Sequence, residues 1–388
     1  MKKKYFSNNL TTIIFFIFIF IIIFSIITKG WLVTWNTLHI PAMLPAHFDL
    51  RFYQYPALAI SEGKNPLFAT HEFWASNDFY NYGMSNYFLP FFKFAYFLNF
   101  HKEIYFISFA LLTIFFYIIC VLSLLKIKKN SFWILILFFS NSSLLAIERT
   151  NNDLIIFCLI YYSAMFPNFI GVSLAMLATY IEFWPIVSGI GFIKKKIKIL
   201  FFISSAIFLL IFYKSIFSTN MQPMLAEWFS FGAKSLSITI KRTFNLDISY
   251  LNIVGLLIII TFLTLIIGGF KLEHKKKPND FEERLFLIGA TLYLSLFIMV
   301  SSFDYKLIFL LFCVPYLSLL KNIFTKWFIL LTIVIASNYS WMSNSSITSS
   351  GHYINTISKI LLFVILLNML IRYFIKFIKS SGIKKIFI

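Results

Sequence analysis

The sequence predicts an all-α fold, a polytopic transmembrane helical bundle of about 10–12 crossings with its N-terminus in the cytoplasm. Three observations predict it. Hydrophobic residues make up 60% of the 388 and charged residues only 13%, with a mean hydropathy of +0.83. A soluble domain runs near ~45–50% apolar and ~25% charged. Apolar runs close to the roughly 18 residues that cross a bilayer core recur at 10–27, 104–125, 131–147, 199–217, 249–270, 285–300 and 353–371. Finally, the basic residues gather in alternate connecting segments.

That asymmetry sets the predicted sidedness. With the N-terminus inside, the cytoplasmic segments are 2–4, 126–129, 194–198, 271–284, 321–326 and the tail from Arg372. They hold 22 of the 34 basic residues and four of the 15 acids, near +18, while the remainder is near +1. A total of +19 therefore reads as the positive-inside rule facing anionic membrane lipids, and excludes nucleic acid as the expected partner. Eleven of the 15 carboxylates lie outside or within the membrane, where a charge is costly unless paired or used. Chemistry is expected to face outward.

Taken in order, Lys2, Lys3 and Lys4 precede a long apolar run ending in Thr28-Lys29-Gly30-Trp31 without a small-residue cleavage site, an uncleaved first helix. The first outer loop, 29–103, is rich in Trp, Tyr and Phe and punctuated by Pro41, Pro45, Pro56, Pro66 and Pro90. Its stretch 86–100 is too short to span and is expected to lie in the interface. A helix, the Lys126-Ile127-Lys128-Lys129 turn and a second helix lead back outward to Glu148-Arg149-Thr150-Asn151-Asn152-Asp153. Between Asp153 and Lys194 an odd number of crossings must fit about 40 residues, one with a re-entrant helix or three short ones. Further outer segments are 218–248, Ser301–Lys306 and 337–352. The chain reads as one domain over 1–388 with no internal repeat.

Candidate chemistry starts at His47-Phe48-Asp49-Leu50-Arg51-Phe52-Tyr53-Gln54-Tyr55 and Ser61-Glu62-Gly63-Lys64-Asn65-Pro66. An ionised carboxylate beside the bilayer suits a general base; the structural alternative for Asp49 is a pair with Arg51, or a cap, that fixes the loop. The knot Glu148–Asp153 either binds sugar hydroxyls and orients the base or forms a self-satisfied ion-pair network capping the next helix. Glu182, before Trp184-Pro185, is either a functional intramembrane acid or the partner of a nearby base. Cys120, Cys158 and Cys313 fall in or beside apolar spans with no CxxC spacing, and the six histidines show no metal-ligand spacing. The chain has no DxD motif, P-loop, Gly-rich dinucleotide fingerprint or GxSxG.

An Asp-aromatic-Tyr stretch soon after the first helix, then Gly-x-Asn-Pro, resembles the membrane-embedded GT-C glycosyltransferases, in particular glycosyltransferase family 87, the polyprenyl-phosphate-mannose-type transferases. Tyr82 through Pro90, Glu148–Leu154 opening a helix, and Asp304-Tyr305-Lys306-Leu307 agree with it in order and sidedness. The resemblance implies that Asp49 is the base, taking a proton from an acceptor hydroxyl as a sugar leaves a polyprenyl-phosphate donor with inversion. It implies substrate binding by Arg51, Tyr53, Glu148, Arg149, Asn152, Asp153 and Asp304. The donor phosphate then needs cations, with Lys306, Lys234 and Arg242 as candidates. For Lys306 the alternative is a snorkelling helix-end lysine; Lys241 and Arg242 also fit headgroup contacts. Family members often carry a lysine where this chain has Glu182.

The implied protein acts on a glycan or glycolipid acceptor at the outer face of a bacterial cytoplasmic membrane, needs no cofactor, and has too few paired acids to suggest a metal. Abundant Phe, Ile, Lys and Asn fit an AT-rich bacterial genome. The competing classes are a polysaccharide flippase or transporter, which calls for charges at mid-depth in several helices, and an O-antigen-type polymerase.

Overall fold

The computed structural model describes residues 2–67, 88–127, 131–194, 197–217, 230–268, 273–299, 302–338 and 348–380. Their helices are α1 (Lys2–Lys29), α2 (Trp31–Thr37), α3 (Arg51–Ser61), α4 (Leu89–Phe97), α5 (Glu103–Leu125), α6 (Ser131–Phe138), α7 (Asn141–Arg149), α8 (Asn152–Met165) and α9 (Phe169–Ile181). A 3-10 helix, Trp184–Phe192, precedes α10 (Lys198–Phe217), α11 (Ala233–Phe244), α12 (Tyr250–Ile266) and α13 (Asp280–Met299). A second 3-10 helix, Asp304–Cys313, leads into α14 (Val314–Leu317), α15 (Ile323–Ser337) and α16 (Thr348–Ser380). The extended pairs β1 (Ser230–Phe231) and β2 (Ser302–Phe303) run antiparallel, Ser230 opposite Phe303 and Phe231 opposite Ser302. Apart from that two-residue pair, the regular structure of the described residues is helical, as the composition predicts.

Among the described residues, three helices are long and apolar enough to cross a membrane: Leu10–Lys29, Glu103–Leu125 and Tyr353–Lys379. Phe132–Phe138 and Asn141–Arg149 make a fourth if the two, bent by 49°, act as one broken span. The sequence predicts 10–12. Five further apolar helices among the described residues are shorter, 152–165, 169–181, 198–211, 250–266 and 323–337; at about 1.5 Å per residue a 14-residue helix covers ~21 Å of a ~30 Å core.

The breaks have chemical causes. The predicted continuous run 131–147 is interrupted because Ser140 caps α7, accepting from the Ser143 amide. The freed polar groups are satisfied inside the protein: Asn338 Oδ1 accepts from the Asn141 amide at 3.1 Å, and Ser142 donates to the Ser337 carbonyl at 3.0 Å. That is the condition on which irregular backbone survives in apolar surroundings. Thr150, in the left-handed region at φ 45°, closes α7, and Asn151 caps α8 by accepting from the Asp153 amide at 2.9 Å. Between Asp153 and Lys194 the chain forms three short pieces, α8, α9 and the first 3-10 helix.

The centre is α13. The run 285–300, predicted as a span, falls in α13, where Leu285, Phe286, Leu287, Ile288, Ala290 and Leu292 are all buried, the pattern of a helix surrounded by other helices. Its start is a reciprocal cap: Asn279 Oδ1 accepts from the Glu282 amide and Glu282 Oε2 from the Asn279 amide, both at 2.8 Å. The two 3-10 helices pack against α13, where Gly191 meets Ile288 and Gly289 meets Phe309 and Phe312. By contrast α1 is only 6% buried over its apolar window, a surface suited to lipid. Positions 82–87, Ser301, 218–229 and 339–347, to which the sequence assigns motif or outer-loop roles, lie outside the described residues.

Glycines test this packing. A methyl group at Gly171 would run into the carbonyl oxygens of Phe166 and Ser163, whereas Gly255 has open space around its Cβ direction. Gly171→Ala is expected to destabilise by about 1–3 kcal/mol and Gly255→Ala to stabilise by roughly 0.5–1 kcal/mol, read as opposite shifts of the thermal midpoint in detergent.

Candidate functional site

The site is built where the segment after α2 meets the α7–α8 junction. Glu148, fully buried, accepts from the Trp31 indole at 3.2 Å and the Met43 amide at 2.9 Å through one oxygen, and pairs with Arg149 Nε at 2.9 Å through the other. Arg149 donates to the Pro41 carbonyl at 3.0 Å and touches Met43 Sδ. His47, at φ 61°, places Nδ1 2.7 Å from the Thr150 hydroxyl. Burial, helped by Arg51, pushes the His47 pKa down to about 4, so the ring is neutral near pH 7. Glu148 and Arg149 are thus engaged in holding residues 41–49 against α7.

Asp49 sits on that platform. Its amide donates to the Arg149 carbonyl at 3.2 Å, and its Oδ2 accepts from Asn151 Nδ2 at 2.6 Å. Burial raises the Asp49 pKa above its ordinary 3.8, opposed by Arg149 and by the Asn151 hydrogen bond. Arg51 is not its partner. The Arg51 guanidinium turns away to a two-pronged contact with Glu103 (2.7 and 3.2 Å) and to Gln54, and lies 4.8 Å from the Phe106 ring centroid. The Asp49–Arg51 pair weighed as the structural alternative does not form; Arg51 instead clamps α3 to α5.

Next to Asp49, Asn152 donates to the Tyr53 hydroxyl at 2.9 Å. Asn152 Oδ1 and both oxygens of Asp153 are buried with no hydrogen-bond partner among the described residues. Unmet buried acceptors are costly, so this is a place that favours donors. Lys306, at the start of the second 3-10 helix, lies 3.7 Å from Asp153 Oδ1 and 2.6 Å from Glu182 Oε2. Trp184 Nε1 donates to that same Glu182 oxygen, and the ammonium lies 4.7 Å from the Trp184 ring. Lys306 is therefore an ion-paired residue, and Glu182 is its partner.

The structure brings Asp49, Tyr53, Glu148, Arg149, Asn152, Asp153 and Lys306 into one linked set. Asp304 stands apart: both its oxygens take Lys359 Nζ, at 2.8 and 2.9 Å, in a buried pair joining the second 3-10 helix to α16. Lys234 lies in the first turn of α11, just past the β1–β2 pairing that abuts Asp304; among the described residues no side-chain contact ties it to the set. Lys241 pairs with exposed Asp247 at 2.9 Å, and the Arg242 side chain is outside the described residues. No group of three or more metal-ligating side chains occurs among the described residues.

Sequence reasoning missed Glu103 and Lys359. Lys359 had a signal, a lone charge inside the 353–371 apolar run; Glu103, at the mouth of a helix, had none. Asn151 was noted only as part of a polar knot. Comparison with known proteins finds no family model, no curated protein and no solved structure that matches this chain.

Removing one partner of a buried pair leaves an unneutralised charge, at a loss of about 3–5 kcal/mol. Lys359→Met is expected to lower the thermal midpoint sharply, and Asp304→Asn added to it to recover most of the loss, as measured by unfolding in detergent.

Proposed function

We propose that this protein is a membrane-embedded inverting glycosyltransferase of GT-C type, moving a sugar from a polyprenyl-phosphate donor to a glycan or glycolipid acceptor. Asp49 is its base. The observation that carries the reading is the geometry at Asp49: one carboxylate oxygen is held by Asn151, and the residue sits beside buried, donor-seeking acceptors on Asn152 and Asp153. Sugar hydroxyls are donors of the kind those acceptors lack. The set is drawn from segments 47–53, 148–153 and 304–306, three of the five in which the sequence resembles family 87.

In the proposed reaction the acceptor oxygen attacks the anomeric carbon as the bond from that carbon to the phosphate oxygen breaks. Asp49 Oδ1 takes the hydroxyl proton, and the polyprenyl phosphate leaves with the bonding pair. The single displacement inverts the anomeric centre. The neutral His47 ring, spent on Thr150, supports the loop and not the proton transfer. In this reading the site faces outward from a bacterial cytoplasmic membrane, and the shorter apolar helices complete a multi-pass bundle.

A transporter reading draws on a different observation. Asp304–Lys359 and Lys306–Glu182 are charge pairs between helices, one of them fully buried, as a polar path through a bundle would require.

Asp49→Asn separates the readings. Transfer of labelled sugar from a polyprenyl-phosphate donor is expected to fall by about 10²–10⁴-fold in a variant that inserts normally; near-normal transfer overturns the assignment. Only ionised Asp49 accepts the proton, and its pKa is raised. The acid limb of the wild-type rate profile is therefore expected above the ordinary aspartate value of 3.8, with activity falling as pH drops through it.

A further inference from the structure

The partner of Lys306 raises a difficulty for any phosphate at this site. With Glu182 and Asp153 both beside it, the ammonium is already paired, and an incoming anion must compete with the Glu182 carboxylate for it. Yet the immediate surroundings of the Glu182 carboxylate are those of an anion seat. A lysine ammonium and an indole N–H are donors without acceptor capacity, and here both point at one oxygen, Glu182 Oε2. The Trp184 ring lies beneath the ammonium and orients it.

We propose that Lys306 and Trp184 form an anion subsite which the Glu182 carboxylate occupies in the empty protein, and that a phosphate group enters by displacing it. The proposal rests on the lipid-phosphate reading above and adds the mode of entry. The three members differ in freedom. The Asp153 side chain is 0% exposed, on the capped first turn of α8, whereas that of Glu182 is 27% exposed. Glu182 also sits in the extended break (φ −140°, ψ 141°) between α9 and the first 3-10 helix. When Glu182 swings into water, Asp153 remains beside the ammonium, 3.7 Å away. Lys306 then keeps its position and gains one open direction. Glu182 acts here as an internal competitor, so only an anion that engages both donors together binds.

The test is binding, independent of turnover. Isothermal titration of the full-length protein in detergent uses geranylgeranyl phosphate, inorganic phosphate and geranylgeraniol, against wild type, Glu182→Gln, Glu182→Ala and Lys306→Met. Thermal midpoints near the wild-type value serve as the folding control. Both Glu182 variants are expected to bind geranylgeranyl phosphate on the order of tenfold tighter than wild type, and Lys306→Met to bind it no better than geranylgeraniol. The same gain for inorganic phosphate assigns the subsite to the phosphate group alone; a gain confined to the lipid assigns it to a headgroup attached to its chain. Unchanged affinity in both Glu182 variants, with loss in Lys306→Met, overturns the displacement and leaves the lipid-phosphate reading standing. Equal affinity in all four proteins overturns both.

Discussion

A charge moved out of water into an apolar interior costs several kcal/mol unless another charge or a set of hydrogen bonds meets it, and the interior of this protein is arranged around meeting that cost. Glu148 finds Arg149 and two N–H donors; Arg51 finds Glu103 and Gln54; Lys306 finds Glu182; Asp304 finds Lys359. Each pair joins elements that are far apart in the chain or pins a loop to a helix end. Since apolar surfaces pack against many partners with similar energy, these few polar contacts select one arrangement of the bundle.

The same constraint accounts for the broken helices. A continuous helix carries its backbone hydrogen bonds internally and offers no polar termini in the interior. Interrupting it at Ser140, at Thr150-Asn151 and at Asn168 exposes helix ends there, and the helix that follows each break is capped by a side chain, Ser140, Asn151 or Asn168. Asn151 serves two purposes at one break: its Oδ1 starts α8 while its Nδ2 holds Asp49. Asp49, held through a helix cap, shares the rigidity of the helix, which is what the proposed proton transfer at a fixed distance requires.

Some of this was legible beforehand. The helical class follows from composition, and the ends of α5 and α10 fall within a residue of the apolar runs that predict them, because a long uninterrupted apolar stretch has few other options. The polar knot at 148–153 and the acids and bases near 49 and 306 were visible as charges in places where charge is expensive. Glu182 was weighed as the partner of a nearby base, and it is. Of the crossings that hydropathy suggests, three or four are matched among the described residues by helices long and apolar enough to span, and the bend at Ser140 was not visible because hydropathy averages across it. The burial of α13 was also hidden, because a core helix and a lipid-facing one are equally apolar.

The sequence by itself determined that this chain forms apolar helices, several of them suited to cross a membrane, with few charges among them; hydrophobicity is a local property that each residue carries with it. Which charge meets which was decided only by the tertiary structure. Arg51 stands two residues from Asp49 yet reaches Glu103, and Lys306 shares its segment with Asp304 yet reaches Glu182. Pairing depends on where side chains end up after helices pack, and in a helical turn neighbours in sequence point in different directions. Proximity along the chain suggested the wrong partner for Arg51, and only the packed helices supplied the right one.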